Sequence, residues 1–371
     1  MTVDVDPRVA LPADTKLRLV DCDIHPIIRA PGDLRPYLAP EWHEYHDGFG
    51  NFLVSPYTEA HPYPKPTPAL SRLDTWPPNG GPPGSDLDFM RAQHLDPHDI
   101  EIGVLQVLWP TAARQRNLGY AAALCGAIND WQAAEWLDRE PRLRGSIMVS
   151  QEDPESAAAE IARCARRGGY AQVMVMPRNM EPMGRRKYWP IFAAAEAQDI
   201  TLGCHVGGLN GYAVTGGAGH CSFYAEEKDS NGYALEAMLT SMIFEGIFDA
   251  FPRLRMVAIE AGLGWVPALG WRLDELWQRF RAELPAVRRP PSEILRERVW
   301  YTTQPADEPE DPRHLRDLFD WIGWDRICFA SDYPHWDSDD PRHALPVQMS
   351  QAERRGIFRE NAMAVYRLGG G

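Results

Sequence analysis

The chain has 371 residues, 44% hydrophobic and 24% charged, an ordinary globular composition with a core large enough to need no disulfide staples. Thirty-eight basic against 52 acidic residues give a net charge of −14, which excludes nucleic acid as a default partner because phosphate binding needs a basic face. The N-terminal stretch is acidic early, and nowhere do about 18 apolar residues run uninterrupted, so neither a signal peptide nor a membrane span is expected and the location is read as cytoplasmic.

Short apolar or β-branched runs predict strands over 16–23, 102–108, 144–150, 171–176, 200–205, 254–260, 299–303 and 327–331. Several are too uniformly apolar to be half-exposed, as expected of parallel strands covered on both faces. Helical patterns lie between them. Within 112–139, Tyr120, Leu124, Ile128, Trp131 and Trp136 recur at near-helical intervals. Asp153-Pro154-Glu155 reads as an N-cap with Pro in the first turn of a helix that Gly168-Gly169 ends. Further helices are expected over 189–198 and 265–282. Eight strand–helix units in order predict one closed (β/α)8 barrel of the TIM type spanning 1–371.

Two stretches break the repeat. Residues 26–85 form a proline- and aromatic-rich insertion after the first strand. It either wraps the barrel or meets a neighbouring subunit, or lends a lid to the catalytic mouth. Residues 207–232, rich in Gly and aromatics, leave the fifth strand at the end where barrel enzymes keep their chemistry. The six cysteines (Cys22, Cys125, Cys164, Cys204, Cys221, Cys328) include no Cys-x-x-Cys pair and read as buried reduced thiols.

Three strand ends carry metal-competent side chains. In DCDIHP, Asp21, Asp23 and His25 alternate, so Asp23 and His25 can converge on one point inside the mouth. A carboxylate with an imidazole is half of a divalent-metal site. In TLGCHVGG, His205 ends an apolar strand before two glycines that let the backbone turn sharply. In ICFASDYPHWDSDDP, Asp332 ends the last strand and can bind a metal, relay a proton, or both, with His335 close behind. Each residue alone has a bland reading as a satisfied core group; three in register on strands one, five and eight do not.

Together, the leading Asp-x-Asp-x-His segment, YWPIFAAAEAQDITLGCHVGG, IFDAFPRLRMVAIEAGLGWVP, FASDYPHWD and the closing ENAMAVYRL resemble the amidohydrolase superfamily. The branch is that of the aminocarboxymuconate-semialdehyde and γ-resorcylate decarboxylases, and the likeness covers nearly the whole chain. It implies a metal-dependent enzyme with Asp23, His25, His205 and Asp332 as ligands. Two departures stand out: Asp23 occupies a position where relatives often have histidine, and Glu260 stands at the end of strand six where many have histidine. The oxygen ligand widens the metal choice from zinc to manganese or iron. Strand four, AQVMVMP, lacks the lysine of a carboxylated bridge, so one metal ion is expected rather than two.

The resemblance implies decarboxylation, with Asp332, His335 or His220 delivering the proton and Glu260 as a further proton carrier or an orienting group. Hydrolysis at the same centre, with Asp332 as base, and cyclisation of an aromatic substrate remain open. A barrel that only binds is disfavoured by the intact ligand set. Trp109, Tyr224, Trp300, Gln304 and Trp336 lie near strand ends or in mouth loops, which suits a small planar substrate, and Arg178 is placed to hold a carboxylate. The resemblance further implies a homodimer.

Overall fold

The computed structural model describes residues 17–49, 70–108, 115–208, 219 and 221–369. Eight strands run in chain order: β1 (Leu19–Ile24), β2 (Ile100–Leu105), β3 (Leu143–Met148), β4 (Tyr170–Val175), β5 (Thr201–His205), β6 (Met256–Ile259), β7 (Val299–Thr302) and β8 (Ile327–Cys328). Each pairs in parallel with the next. The ring then closes, because Cys22 N–H donates to the Phe329 carbonyl at 3.0 Å, Asp332 N–H to Asp23 at 3.0 Å and His25 N–H to Tyr333 at 2.8 Å. The expected barrel is therefore observed.

Covering helices follow the capping chemistry. Asn117 accepts from Tyr120 N–H ahead of the helix Leu118–Gln132, and Asp153 accepts from Ser156 N–H ahead of Pro154–Arg167, which ends at Gly168. The helices Trp189–Ala197 and Trp265–Arg279 match expectation to within a few residues. The helix expected over 112–139 starts later, at Leu118 behind its Asn117 cap, and its last turn widens into a π-helix, Ala133–Leu137; residues 112–114 lie outside the described residues. β8 is shorter than the 327–331 run because Phe329 N–H turns away to the Ile357 carbonyl at 2.9 Å. None of the helices is long and apolar enough to cross a membrane, among the described residues.

Two apolar layers hold the ring. The larger lies between strands and helices, with Ile147, Ile161, Phe192, Met242 and Leu295 fully or almost fully buried. Alternate strand residues form a second, separate cluster that fills the barrel: Val20, Cys22, Ile102, Val104, Val257, Ile259 and Cys328, joined by Val365 and Tyr366 from the C-terminal segment. All six cysteines are free thiols; Cys221 is half-buried and the other five are buried.

The insertion is built rather than irregular where it is described. Pro31–Tyr37, Pro40–Trp42 and His43–Gly48 form short helical turns. Trp42 and Tyr45 pack on Tyr120 at ring-centroid distances of 5.6 and 4.8 Å, and buried His46 contacts the Tyr120 hydroxyl at 2.6 Å. This part wraps the helical layer. Beyond residue 69 the chain returns to the mouth: Trp336 N–H donates to Leu70, and Ser71 pairs with His335.

Inside the barrel, Gly203 of β5 faces Gln172 of β4, which is fully buried and bonded to Ser146 Oγ at 2.9 Å. A Cβ at Gly203 would stand 2.1 Å from Gln172 Oε1. Gly203→Ala therefore overpacks the barrel, and a loss of about 1–3 kcal/mol is expected in urea unfolding; an unchanged midpoint would show that Gln172 can move aside.

Candidate metal centre

The site sits at the carboxyl ends of β1, β5, β6 and β8. β1 does not alternate to its tip, since its register against β2 shifts between Asp21 and Ile24. The shift separates Asp21 from the site: Asp21 bonds to His94 and Ser331, whereas Asp23 joins His25. The two side chains expected to converge, Asp23 and His25, are the two that meet.

His25 Nε2 lies 3.0 Å from Asp23 Oδ1 and 2.8 Å from Asp332 Oδ1. His205 Nε2 lies 3.6 Å from Asp23 Oδ2 and 3.2 Å from Glu260 Oε2. One ligand atom from each of Asp23, His25 and His205 falls within 4.8 Å of the others, and the same holds for His25, Asp332 and His335. The far ring nitrogens are fixed: His25 Nδ1 donates to the Gln106 carbonyl at 3.0 Å and His205 Nδ1 to the Val206 carbonyl at 2.8 Å. Such bonds turn Nε2 into the lone-pair nitrogen, as in known metal-binding histidines.

Four buried atoms, Asp23 Oδ2, His25 Nε2, His205 Nε2 and Asp332 Oδ2, have no hydrogen-bond partner. Buried polar atoms are nearly always bonded, so these four orphans on neighbouring side chains, three of them on the Asp23, His25 and His205 group, fit a bound cation. Two carboxylate oxygens and two imidazole nitrogens are also the donor set a divalent ion takes.

Without a cation the carboxylates and imidazoles of the site compensate one another, and the imidazoles give up their protons when a metal binds. Burial pushes the Asp23 carboxyl up, but His25 and His205 outweigh it and hold the group below the usual range. Burial likewise opposes ionisation of Asp332, and His335 and His25 reverse that to hold it well below. Burial lowers His25 and His205, and the Asp23 charge raises both above the ordinary imidazole value. Glu260 goes the other way: burial and then Asp332 raise it, against Lys228 and His205.

Glu260 and Asp332 both carry left-handed backbone, with φ of 57° and 61°. Non-glycine residues adopt that conformation at a cost of about 1–3 kcal/mol, and such strain collects at working sites. After His205, Gly207 and Gly208 take φ of 120° and 115°, and a Cβ at Gly208 would stand 2.4 Å from the Arg178 carbonyl. The sharp turn expected there does require glycine.

A pocket of about 150 Å³ opens beside these residues, roughly the space of one aromatic ring. Arg178, Tyr224 and Trp336, read from the sequence as substrate-facing, are among its lining residues, together with His205, Glu260 and His335. Trp336 Nε1 donates to the Tyr224 hydroxyl at 3.1 Å. His335 Nδ1 donates to Asp332 Oδ1 at 2.6 Å and its ring stacks on His25 at 4.4 Å.

Two expected lining residues stand elsewhere. Trp300 belongs to the barrel-filling cluster, and its Nε1 donates to the Asp325 carbonyl, ahead of β8 at the end opposite Asp332. As an inward residue near the start of β7 it cannot reach the mouth. Gln304 is buried behind the pocket wall, its Nε2 donating to the Asp337 carbonyl at 3.1 Å. Trp109 and His220 lie outside the described residues.

Sequence reasoning missed Lys228 and Gln106. Lys228 Nζ bridges Glu260 Oε1 at 3.1 Å and Asp337 Oδ2 at 2.9 Å. Gln106 Nε2 donates to Asp23 Oδ1 at 2.7 Å. Lys228 sits in a short mouth helix, Tyr224–Asp229, where no strand end marks it, and Gln106 is one polar residue after an apolar strand.

A sequence profile of the amidohydrolase family matches residues 20–368. γ-Resorcylate decarboxylases of Rhodococcus jostii and of a Polaromonas species are each 26% identical, over 76% of this chain and 88% of theirs. Among solved structures, 2,6-dihydroxybenzoate decarboxylase from Rhizobium superposes with a TM-score of 0.67 at 19% identity, covering 96% of this chain and 100% of that one. A 5-carboxyvanillate decarboxylase from Novosphingobium aromaticivorans, solved with bound manganese, gives 0.69 at 20% identity, covering 96% and 99%.

Lys228→Met would leave the Glu260 carboxylate without its ammonium partner. A stability loss on the order of 2 kcal/mol is expected in denaturant titration, with partial recovery in Lys228→Met/Glu260→Gln. Equal loss in the single and double variants would mean that the two residues do not act as a pair.

Proposed function

This chain belongs to the amidohydrolase family, and on that premise we propose that it is a metal-dependent decarboxylase of a small aromatic hydroxycarboxylate. The observation that carries the reading is the buried Asp23, His25 and His205 group, joined through His25 to Asp332, with an orphaned polar atom on each of the four, beside a pocket the size of one ring. The decarboxylases similar to it act, by their names, on resorcylate, dihydroxybenzoate and carboxyvanillate.

In this reading Asp23, His25, His205 and Asp332 hold one divalent cation. The donor set suits manganese as well as zinc, and the carboxyvanillate enzyme's bound manganese favours the former. A cation held there supplies a Lewis acid for the substrate's carboxylate and a neighbouring oxygen. The chain does the rest. Tyr224 and Trp336 offer an aromatic wall to a planar ring, and Arg178 presents a guanidinium at the same pocket. Asp332 and His335, joined by their 2.6 Å hydrogen bond, carry the proton that replaces the departing carboxyl group on the ring carbon. The reaction balances as carboxylate plus proton giving arene plus carbon dioxide. Glu260, strained and held by Lys228, places its carboxylate 3.2 Å from His205 Nε2 at the edge of the same site.

Two outcomes are expected. A panel of ortho-hydroxybenzoates incubated with metal-replete protein should release carbon dioxide, and a parallel panel of anilides and lactones should stay intact. Hydrolysis of the second panel without decarboxylation of the first would reassign the site to hydrolase chemistry. Asp332→Asn should keep the fold by circular dichroism and lose turnover by about 10²-fold or more; near-normal turnover would remove Asp332 from the proton path.

A further inference from the structure

The seam that closes the barrel holds a second buried cluster next to the proposed ligands. Asp21 is fully buried, and its carboxylate accepts four hydrogen bonds. They come from Ser331 N–H at 2.9 Å, Ser331 Oγ–H at 2.6 Å, Asp23 N–H at 3.2 Å and His94 Nε2–H at 2.7 Å. Two of these donors are backbone groups of Asp23 itself and of the residue before Asp332. Asp21 thus ties together the two strand ends that supply the carboxylate ligands.

The ladder there is thin. β8 contributes only Ile327 and Cys328, and Asp332 lies beyond it in left-handed backbone. Side chains must therefore set where Asp332 stands. His94 lies in a one-turn π-helix, Arg91–Leu95, a widened turn often found at functional sites. Its ring stacks on Tyr333, the residue after Asp332, with centroids 4.6 Å apart and planes 15° apart. Gln93, in the same turn, accepts from the Tyr333 hydroxyl at 2.8 Å. One π-turn therefore grips Asp21, two residues before Asp23, and Tyr333, one residue after Asp332. Neither His94 nor Asp21 lines the pocket.

We propose that His94 is a positioning residue for the metal centre, acting through Asp21 and Tyr333 to set the spacing between the Asp23 and Asp332 carboxylates. A fully buried carboxylate needs a strong donor, and His94 is the imidazole that supplies one. Without it, Asp21 keeps its donors from Ser331 and from Asp23 N–H but loses the ring that braces it from outside the barrel, and the β1–β8 spacing is free to drift. The inference rests on the reading of Asp23, His25, His205 and Asp332 as ligands.

The test is manganese affinity of the purified full-length chain, titrated against a buffered chelator, with folding followed by circular dichroism. His94→Ala is expected to fold and to bind manganese about 10- to 100-fold more weakly, the range for partners that orient metal ligands. His94→Gln, whose amide can still donate to Asp21, should recover most of that loss. A folded His94→Ala with wild-type affinity overturns the proposal, since a histidine that only stabilises the fold would leave binding unchanged. If His94→Ala does not fold, Ser331→Ala takes its place, because it removes another side-chain donor from the same carboxylate. Weakened binding in that variant supports the role of the Asp21 cluster, and wild-type binding overturns it. Wild-type protein that takes up no manganese or zinc would sink the ligand assignment and this inference with it, whereas metal-binding wild type with unaltered variants sinks His94 alone.

Discussion

Two acidic side chains that meet across the seam between the first and last strands govern the rest of this molecule. Asp23 and Asp332 stand 309 positions apart in sequence, yet Asp332 N–H donates to the Asp23 carbonyl and both carboxylates approach His25. Closing the ring and building the site are one event. A barrel that failed to close would separate half of the proposed ligand set.

That arrangement carries a large desolvation penalty. Asp23 and Asp332 are fully buried, with Glu260 and two imidazoles close by, in a region from which water is largely excluded. Burying charges is tolerated only when they are paired or hold a metal. The internal pairs answer part of the demand: Gln106 on Asp23, His335 on Asp332, Lys228 on Glu260. The four orphaned atoms are what remains, and a divalent cation is the species whose charge and ligand preference match them. The strained backbone at Glu260 and Asp332 fits the same picture, because both side chains are held where packing wants them rather than where the backbone would rest.

The surroundings divide by role. Residues 31–48 of the insertion wrap the helical layer through Trp42, Tyr45 and His46 on Tyr120, while Leu70 and Ser71 meet the Trp336 and His335 loop. The short helix Tyr224–Asp229 brings Tyr224 and Lys228 to the pocket. Chemistry-bearing side chains thus come from strand ends, and the walls come from loops, the division of labour general to this barrel architecture.

The order of strands, the parallel sheet and the positions of Asp23, His25, His205 and Asp332 at strand ends were legible in the sequence. Short uniformly apolar runs, helix caps such as Asp153 and the glycine pair after His205 are local signals, read within a few residues of where they act. What local signals could not carry was decided by tertiary structure. The register shift in β1 parted Asp21 from Asp23, the inward position of Trp300 buried it at the far end of the barrel, and Gln304 went to support a loop. Lys228, Gln106 and His94 gained their roles only by meeting residues 32, 83 and 73 positions away. The physical reason is that strand alternation and helix period constrain neighbours along the chain, whereas hydrogen bonds and ion pairs between distant elements exist only once the ring has closed.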